Sequence, residues 1–171
     1  IPIVRDVETM AALLKTIGSS IKLNKKKKRI EILNKGKLKT VAPYSLVKTM
    51  RAGVLVLGPM LAKYGSAKVS LPGGCSIGSR PIDLHLYALK KMGAKIKVKD
   101  GYIIASAKNG LKGCLIKFPK ISVGATQNIL IASCFSKGKT KMRNCAVEPE
   151  VLDLISFLKK LGCKINVIGK R

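Results

Sequence analysis

The chain has 171 residues, 47% of them hydrophobic, enough to bury one sizeable core and to make one domain or most of one. Its 34 Lys and Arg against 8 Asp and Glu leave a formal net charge of +26, which steers a protein towards polyanions in general. Aromatic residues make up only 4%, with no Trp, too few for the stacking platforms that bind single-stranded nucleic acid.

The charge is spread along nearly every segment, and the one dense run is Lys25-Lys26-Lys27-Lys28-Arg29. A lysine-biased surface is the expectation, with nucleic acid bound only non-specifically, through net charge and at low salt. No apolar run approaches the roughly 18 residues of a membrane span, so no membrane partner is expected. The opening Ile1-Pro2-Ile3-Val4-Arg5-Asp6 has no long apolar h-region and no initiator Met, so the native start is expected to be missing. Cys75, Cys114, Cys134, Cys145 and Cys163 form an odd set without a C-x-x-C pair. That pattern makes neither a disulfide framework nor a zinc site and fits a reducing, cytoplasmic compartment; no metal or cofactor is implied.

In chain order, Val7, Met10, Leu13, Leu14 and Ile17 fall at helical spacing before Gly18. Residues 21–23 and 29–33 read as strands around the lysine turn. Ala42-Pro43 opens a longer helix through Leu57, which Gly58-Pro59 should kink or interrupt before a further turn reaches Tyr64-Gly65. A strand over 67–71 follows. After a glycine-rich loop come a helix over 82–92 and strands at 94–98 and 102–105, joined by Asp100-Gly101, a hairpin signal. The remainder reads as a strand at 114–118, a helix at 123–135, a strand at 140–143, a helix at 149–161 opened by Pro149, and a final strand.

These segments repeat. Leu14-Lys15-Thr16-Ile17-Gly18-Ser19-Ser20-Ile21-Lys22 resembles Leu89-Lys90-Lys91-Met92-Gly93-Ala94-Lys95-Ile96-Lys97, and both resemble Leu158-Lys159-Lys160-Leu161-Gly162-Cys163-Lys164-Ile165-Asn166. Ala62-Lys63-Tyr64-Gly65 likewise parallels Phe135-Ser136-Lys137-Gly138. The chain is therefore a series of β–α–β–α–β–β units. Such units must stack to bury their helices, and two to three of them with differing loops favour a closed α/β domain over a solenoid.

One segment stands apart from the repeat: Pro72-Gly73-Gly74-Cys75-Ser76-Ile77-Gly78-Ser79-Arg80-Pro81-Ile82-Asp83-Leu84-His85. A glycine-rich strand-to-helix loop lets ligands approach its backbone, and Arg80 near Cys75 would favour a thiolate or an anionic substrate. This segment resembles the active-site loop of the UDP-N-acetylglucosamine enolpyruvyl transferases, in the EPSP synthase superfamily. The similarity continues through Ala42-Pro43-Tyr44, Met50-Arg51-Ala52, Leu57-Gly58-Pro59, Ser122-Val123-Gly124-Ala125-Thr126 and Glu148-Pro149-Glu150, and spans essentially all 171 residues.

The resemblance implies an inside-out α/β barrel domain with helices inside and sheets outside. Residues 1–171 would be most of one such domain: a partial first unit, then two further units. A second domain, which faces the site in that family, would lie outside them, leaving the 171 residues inactive alone. The implied reaction moves the enolpyruvyl group of phosphoenolpyruvate to the 3-hydroxyl of UDP-N-acetylglucosamine, releasing phosphate. Cys75 matches the loop cysteine that protonates the enol carbon, a role suited to one donor on a closing lid. Arg80 and Arg51 match arginines at the anionic substrates. Residues Arg80, Pro81, Ile82, Asp83 and Leu84 match the segment around the uracil, and Lys120, Ile121, Ser122, Val123 and Gly124 the diphosphate-binding stretch at a helix start.

Read without the resemblance, Asp83 is an N-terminal helix carboxylate, Ser122 a plain N-cap and Arg51 a solvated helix residue. Glu148 divides between a site carboxylate and a helix cap, and His85, the sole histidine, is read as structural. Val147 stands where the family usually has an arginine. Three other readings are a basic nucleic-acid-binding module, the shikimate-pathway enolpyruvyl transferase, against which Gly73-Gly74-Cys75 argues, and a thiol redox function, which needs a resolving cysteine that the loop does not contain.

Overall fold

The computed structural model describes residues 1–72 and 82–169. The chain enters through α1 (Arg5–Thr16), which buries Ala11 and Leu13, and turns into an antiparallel hairpin of β1 (Ser20–Asn24) and β2 (Arg29–Leu33). The lysine run forms the hairpin turn, where Lys27 N–H donates to Asn24 Oδ1 and Lys25 pairs with Glu8.

A complete unit follows. It comprises β3 (Val41–Ala42), α2 (Tyr44–Val47), a 3₁₀ segment (Arg51–Val56), α3 (Leu57–Tyr64), β4 (Ser66–Ser70), α4 (Asp83–Lys91), β5 (Lys95–Lys99) and β6 (Tyr102–Ser106). Its sheet has the order β3-β4-β6-β5, with β3 parallel to β4 and the β4–β6 and β5–β6 pairs antiparallel. Asp100 and Gly101 both take positive φ (51° and 73°), the backbone of a tight hairpin turn. The next unit supplies β7 (Leu115–Lys117), α5 (Val123–Ser133), β8 (Lys141–Arg143) and α6 (Pro149–Lys160), with β7 parallel to β8.

The repeat is visible as one helix ending made three times. At the end of α1, Gly18 N–H donates to the Lys15 carbonyl and Ser19 N–H to the Leu14 carbonyl, both at 2.9 Å. Gly93 and Ala94 do the same after α4, and Gly162 and Cys163 after α6. Each glycine holds a positive φ, of 113°, 94° and 93°, which a side chain would make costly.

Two expectations fail. The long helix over 42–57 is instead α2, an extended Met50 and the 3₁₀ segment. There the chain folds back so tightly that a β-carbon at Gly53 would sit 3.1 Å from the Val47 backbone. Gly58-Pro59 neither kinks nor interrupts a helix but lies in the first turn of α3, where proline's missing N–H costs nothing, and the helix reaches Tyr64 with Gly65 as its cap, as expected. The final strand is also absent: residues 163–168 are irregular, and Ile168 is 92% exposed. Strands need a ladder partner, which β2 and β6 provide for β1 and β5 but which no described segment provides after Gly162.

Helix α5 lies at the centre. It buries Ala125, Thr126, Asn128, Ile129, Leu130 and Ala132, as a helix apolar on nearly every face must. Ala125, Ile129 and Ala132 join a core built from α3, α4 and the inward side chains Ala67, Val69, Ile103 and Ala105 of the sheet. Leu130 joins a second cluster with Ala146 and with Val151 and Leu158 of α6. Lys68 and the three lysines of β5 face outward, so helices lie inside and charged sheet faces outside.

Candidate functional site

The starts of α4 and α5 are placed side by side. His85, in the first turn of α4, lies with its ring edge against Gly124: a β-carbon there would stand 3.4 Å from both Cε1 and Nε2. The ring is buried, and its Nδ1 is 3.0 Å from Asn128 Nδ2, one turn further along α5. Asn128 is wholly buried and fully partnered. Its Oδ1 accepts from Gly58 N–H at 2.9 Å, and its Nδ2 donates to the Val54 carbonyl at 3.1 Å.

That wiring settles the protonation of the histidine. A backbone N–H can only donate and a carbonyl can only accept, so the amide orientation is fixed and Nδ2 presents its other hydrogen to His85. Nδ1 must accept, and the imidazole is neutral with its proton on Nε2. Burial pulls its pKa down to about 4.

At the start of α5, Ser122 is the N-cap, its Oγ accepting from Ala125 N–H at 3.3 Å. Among the described residues, the N–H groups of Val123 and Gly124 have no protein acceptor. They form the positive end of an eleven-residue helix. Lys120 and Ile121 are exposed just before the cap. Thr126 accepts from Ala146 N–H at 3.1 Å and donates to the Ser122 carbonyl at 2.8 Å, which ties this end to the segment leading to Glu148.

Ile82 and Leu84 are half-buried against the main core, and Asp83 is exposed in the first turn of α4. Arg51 is exposed at the start of the 3₁₀ segment whose Val54 carbonyl Asn128 holds. Glu148 occupies the N-cap position of α6 but makes no side-chain cap, contrary to its plain capping reading. Cys75, Arg80 and Pro81 lie outside the described residues. On the near side of that segment, Leu71 N–H donates to the Gly101 carbonyl at 2.8 Å. The structure thus joins the Ile82–Leu84 and Ser122–Gly124 groups, and links Arg51 to them through one amide.

Asn128 and Gly58 were not singled out as site-forming by sequence. The signal was an amide inside the apolar run 125–132, since a buried amide must find partners. The other described cysteines are packing residues: burial raises Cys114 and Cys145, and burial with the adjoining Cys163 pushes Cys134 up to about 12. Among the described residues, no cluster of His, Cys, Asp or Glu could hold a metal ion, and no helix is long and apolar enough to cross a membrane.

Stacked β–α–β–α–β–β units around inward helices are the architecture of the enolpyruvyl transferases. The chain superimposes on an enolpyruvyl transferase, NikO from Streptomyces tendae, with a TM-score of 0.81, covering 98% of this chain and 39% of that one at 19% identity. EPSP synthase from Acinetobacter baumannii matches with a TM-score of 0.72 over 95% of this chain and 37% of its own, at 21% identity. The profile of the EPSP synthase (3-phosphoshikimate 1-carboxyvinyltransferase) family matches residues 1–171, and the chain belongs to that family.

Among curated relatives, the UDP-N-acetylglucosamine 1-carboxyvinyltransferase of Pelagibacter ubique is 59% identical over all 171 residues. That of a Nitratiruptor species is 51% identical over 170. The chain spans 40% of the length of each.

Proposed function

We propose that residues 1–171 form most of one domain of a UDP-N-acetylglucosamine 1-carboxyvinyltransferase, with a second domain supplied by the remaining length of such a protein. The observation that carries this reading is 59% identity, across the whole chain, to a relative of that name. The reaction passes the enolpyruvyl group of phosphoenolpyruvate to the 3-hydroxyl of UDP-N-acetylglucosamine in the cytoplasm, the first committed step of peptidoglycan synthesis.

In this reading Cys75 protonates the methylene carbon of phosphoenolpyruvate while the sugar hydroxyl adds to the neighbouring carbon. Loss of a proton from the resulting methyl group, with departure of phosphate, restores the double bond in the product. Arg51 and Arg80 hold the anionic groups, as planar guanidinium forks suit carboxylate and phosphate. The unpartnered N–H groups of Val123 and Gly124, with Lys120 and Ile121 before the Ser122 cap, receive the diphosphate. Pro81, Ile82, Asp83 and Leu84 line the uracil, Asp83 accepting from a base N–H or a sugar hydroxyl.

The test is phosphate release by the full-length polypeptide. Release from phosphoenolpyruvate should require UDP-N-acetylglucosamine, and an epoxide phosphonate should label Cys75. Release that depends on 3-phosphoshikimate instead would replace this reading with the sister activity. The isolated 171 residues should release none, and turnover by them would refute the two-domain part of the proposal.

A further inference from the structure

We propose that His85 and Asn128 are positioning residues: together they set the spacing between the starts of α4 and α5, and so how tightly the nucleotide sugar is held. The inference rests on the substrate reading above but concerns residues to which that reading gives no role.

Three segments carry the described residues that the reading above places on substrate, and all three converge on one buried amide. The start of α4 reaches it through His85 Nδ1 at 3.0 Å. The segment begun by Arg51 reaches it through the Val54 carbonyl at 3.1 Å. Helix α5, whose first turn presents the N–H groups of Val123 and Gly124, carries the amide itself. The anchor has no slack, because a β-carbon at Gly58 would lie 2.1 Å from Asn128 Oδ1.

Apolar side chains could fill the same space without leaving a polar atom to satisfy. A directional acceptor at His85 adds something packing does not: it fixes the rotation and depth of α4 against α5. The node also lies at the end of the helices where ligand would bind. His85 is within the first turn of α4, and its ring touches Gly124.

The experiment uses the full-length polypeptide with H85F and H85N. Phenylalanine keeps the ring and removes the acceptor, whereas asparagine can place an amide oxygen where Nδ1 stood. For H85F, KM for UDP-N-acetylglucosamine should rise about tenfold, with kcat and KM for phosphoenolpyruvate changed by no more than about twofold, the split expected when the bound ground state and the transition state lose the same binding energy. H85N should return that KM to within about threefold of wild type.

An unmoved KM in H85F, a uniform loss in kcat and both KM values, or an H85N no better than H85F would overturn the inference. Should H85F fail to fold, the wild-type protein decides. The His85 ring resonances should shift when UDP-N-acetylglucosamine is added to saturation, and unmoved resonances would overturn the inference. A wild-type protein that neither binds nor turns over UDP-N-acetylglucosamine refutes the substrate reading and this inference with it; normal turnover with an unmoved H85F refutes the inference alone.

Discussion

Replacing Gly58 by alanine tests the buried amide most directly. The added methyl group would stand 2.1 Å from Asn128 Oδ1, 2.8 Å from the Asn128 carbonyl oxygen and 3.2 Å from Ala132 Cβ. The first contact could be relieved by rotating the amide, but the second involves backbone, so α3 and α5 must also move apart. Rotation would break the bonds to Gly58, Val54 and His85, and each buried group left unsatisfied costs about 1–3 kcal/mol. Overpacking between the helices adds about 1–3 kcal/mol. Against this, alanine gains at most about 1 kcal/mol of helix propensity over glycine.

The expected net loss is at least about 3 kcal/mol, a large part of the roughly 5–15 kcal/mol that holds a domain together. In a protein of this size it should lower Tm by on the order of 10 °C. Urea and thermal unfolding followed by circular dichroism measure it. Gly93→Ala is the control, since Gly93 also has an unusual backbone, with φ of 94°, but nothing within 4 Å of an added β-carbon. That change should cost only about 1–2 kcal/mol. If Gly58→Ala loses no more than Gly93→Ala, the helices part freely and the close-contact argument is wrong.

Three further outcomes are expected. His85 should stay neutral until about pH 4 in the folded protein against 6.5 unfolded, so stability is full above 6.5 and falls as pH drops towards 4, by about 3 kcal/mol in all. Imidazole NMR shifts and urea midpoints across that range check it, and titration near 6.5 would contradict the neutral, accepting ring. Ser122→Ala should cost about 1 kcal/mol through loss of the Ala125 cap bond, and Ser122→Gly only a few tenths; unchanged stability in Ser122→Ala, read from urea unfolding, would show that the hydroxyl does not cap α5. At pH 8, an alkylating reagent should leave Cys134 unmodified until the protein unfolds, because burial keeps its thiol protonated. Mass spectrometry of the labelled peptides reads this out, and labelling of Cys134 in native protein would overturn it.

Local rules were enough for much of this protein. Gly18, Gly93 and Gly162 end their helices by the same two hydrogen bonds because a Schellman ending needs only a left-handed residue and two nearby carbonyls. Asp100-Gly101, the Ser122 cap and the β–α–β–α–β–β repeat were legible for the same reason: each depends on a few consecutive residues. Cys75 and its glycine-rich surroundings could be recognised because the motif is contiguous.

Contacts between distant residues were not legible. Gly58 reads as a helix breaker in sequence, yet its absent side chain leaves room for an amide seventy positions away. His85 reads as an unremarkable first-turn residue until Asn128 makes its Nδ1 an acceptor and Gly124 meets its ring. The tail after Gly162 makes the point in reverse. It shares the pattern of β1 and β5 but forms no strand, because a strand's hydrogen bonds go to another segment and none of those described is beside it. Sequence determined the units and the loop that marks the family; only packing decided that three candidate segments should meet on one side chain, since a hydrogen bond across that distance depends on where the helices lie rather than on their residues in isolation.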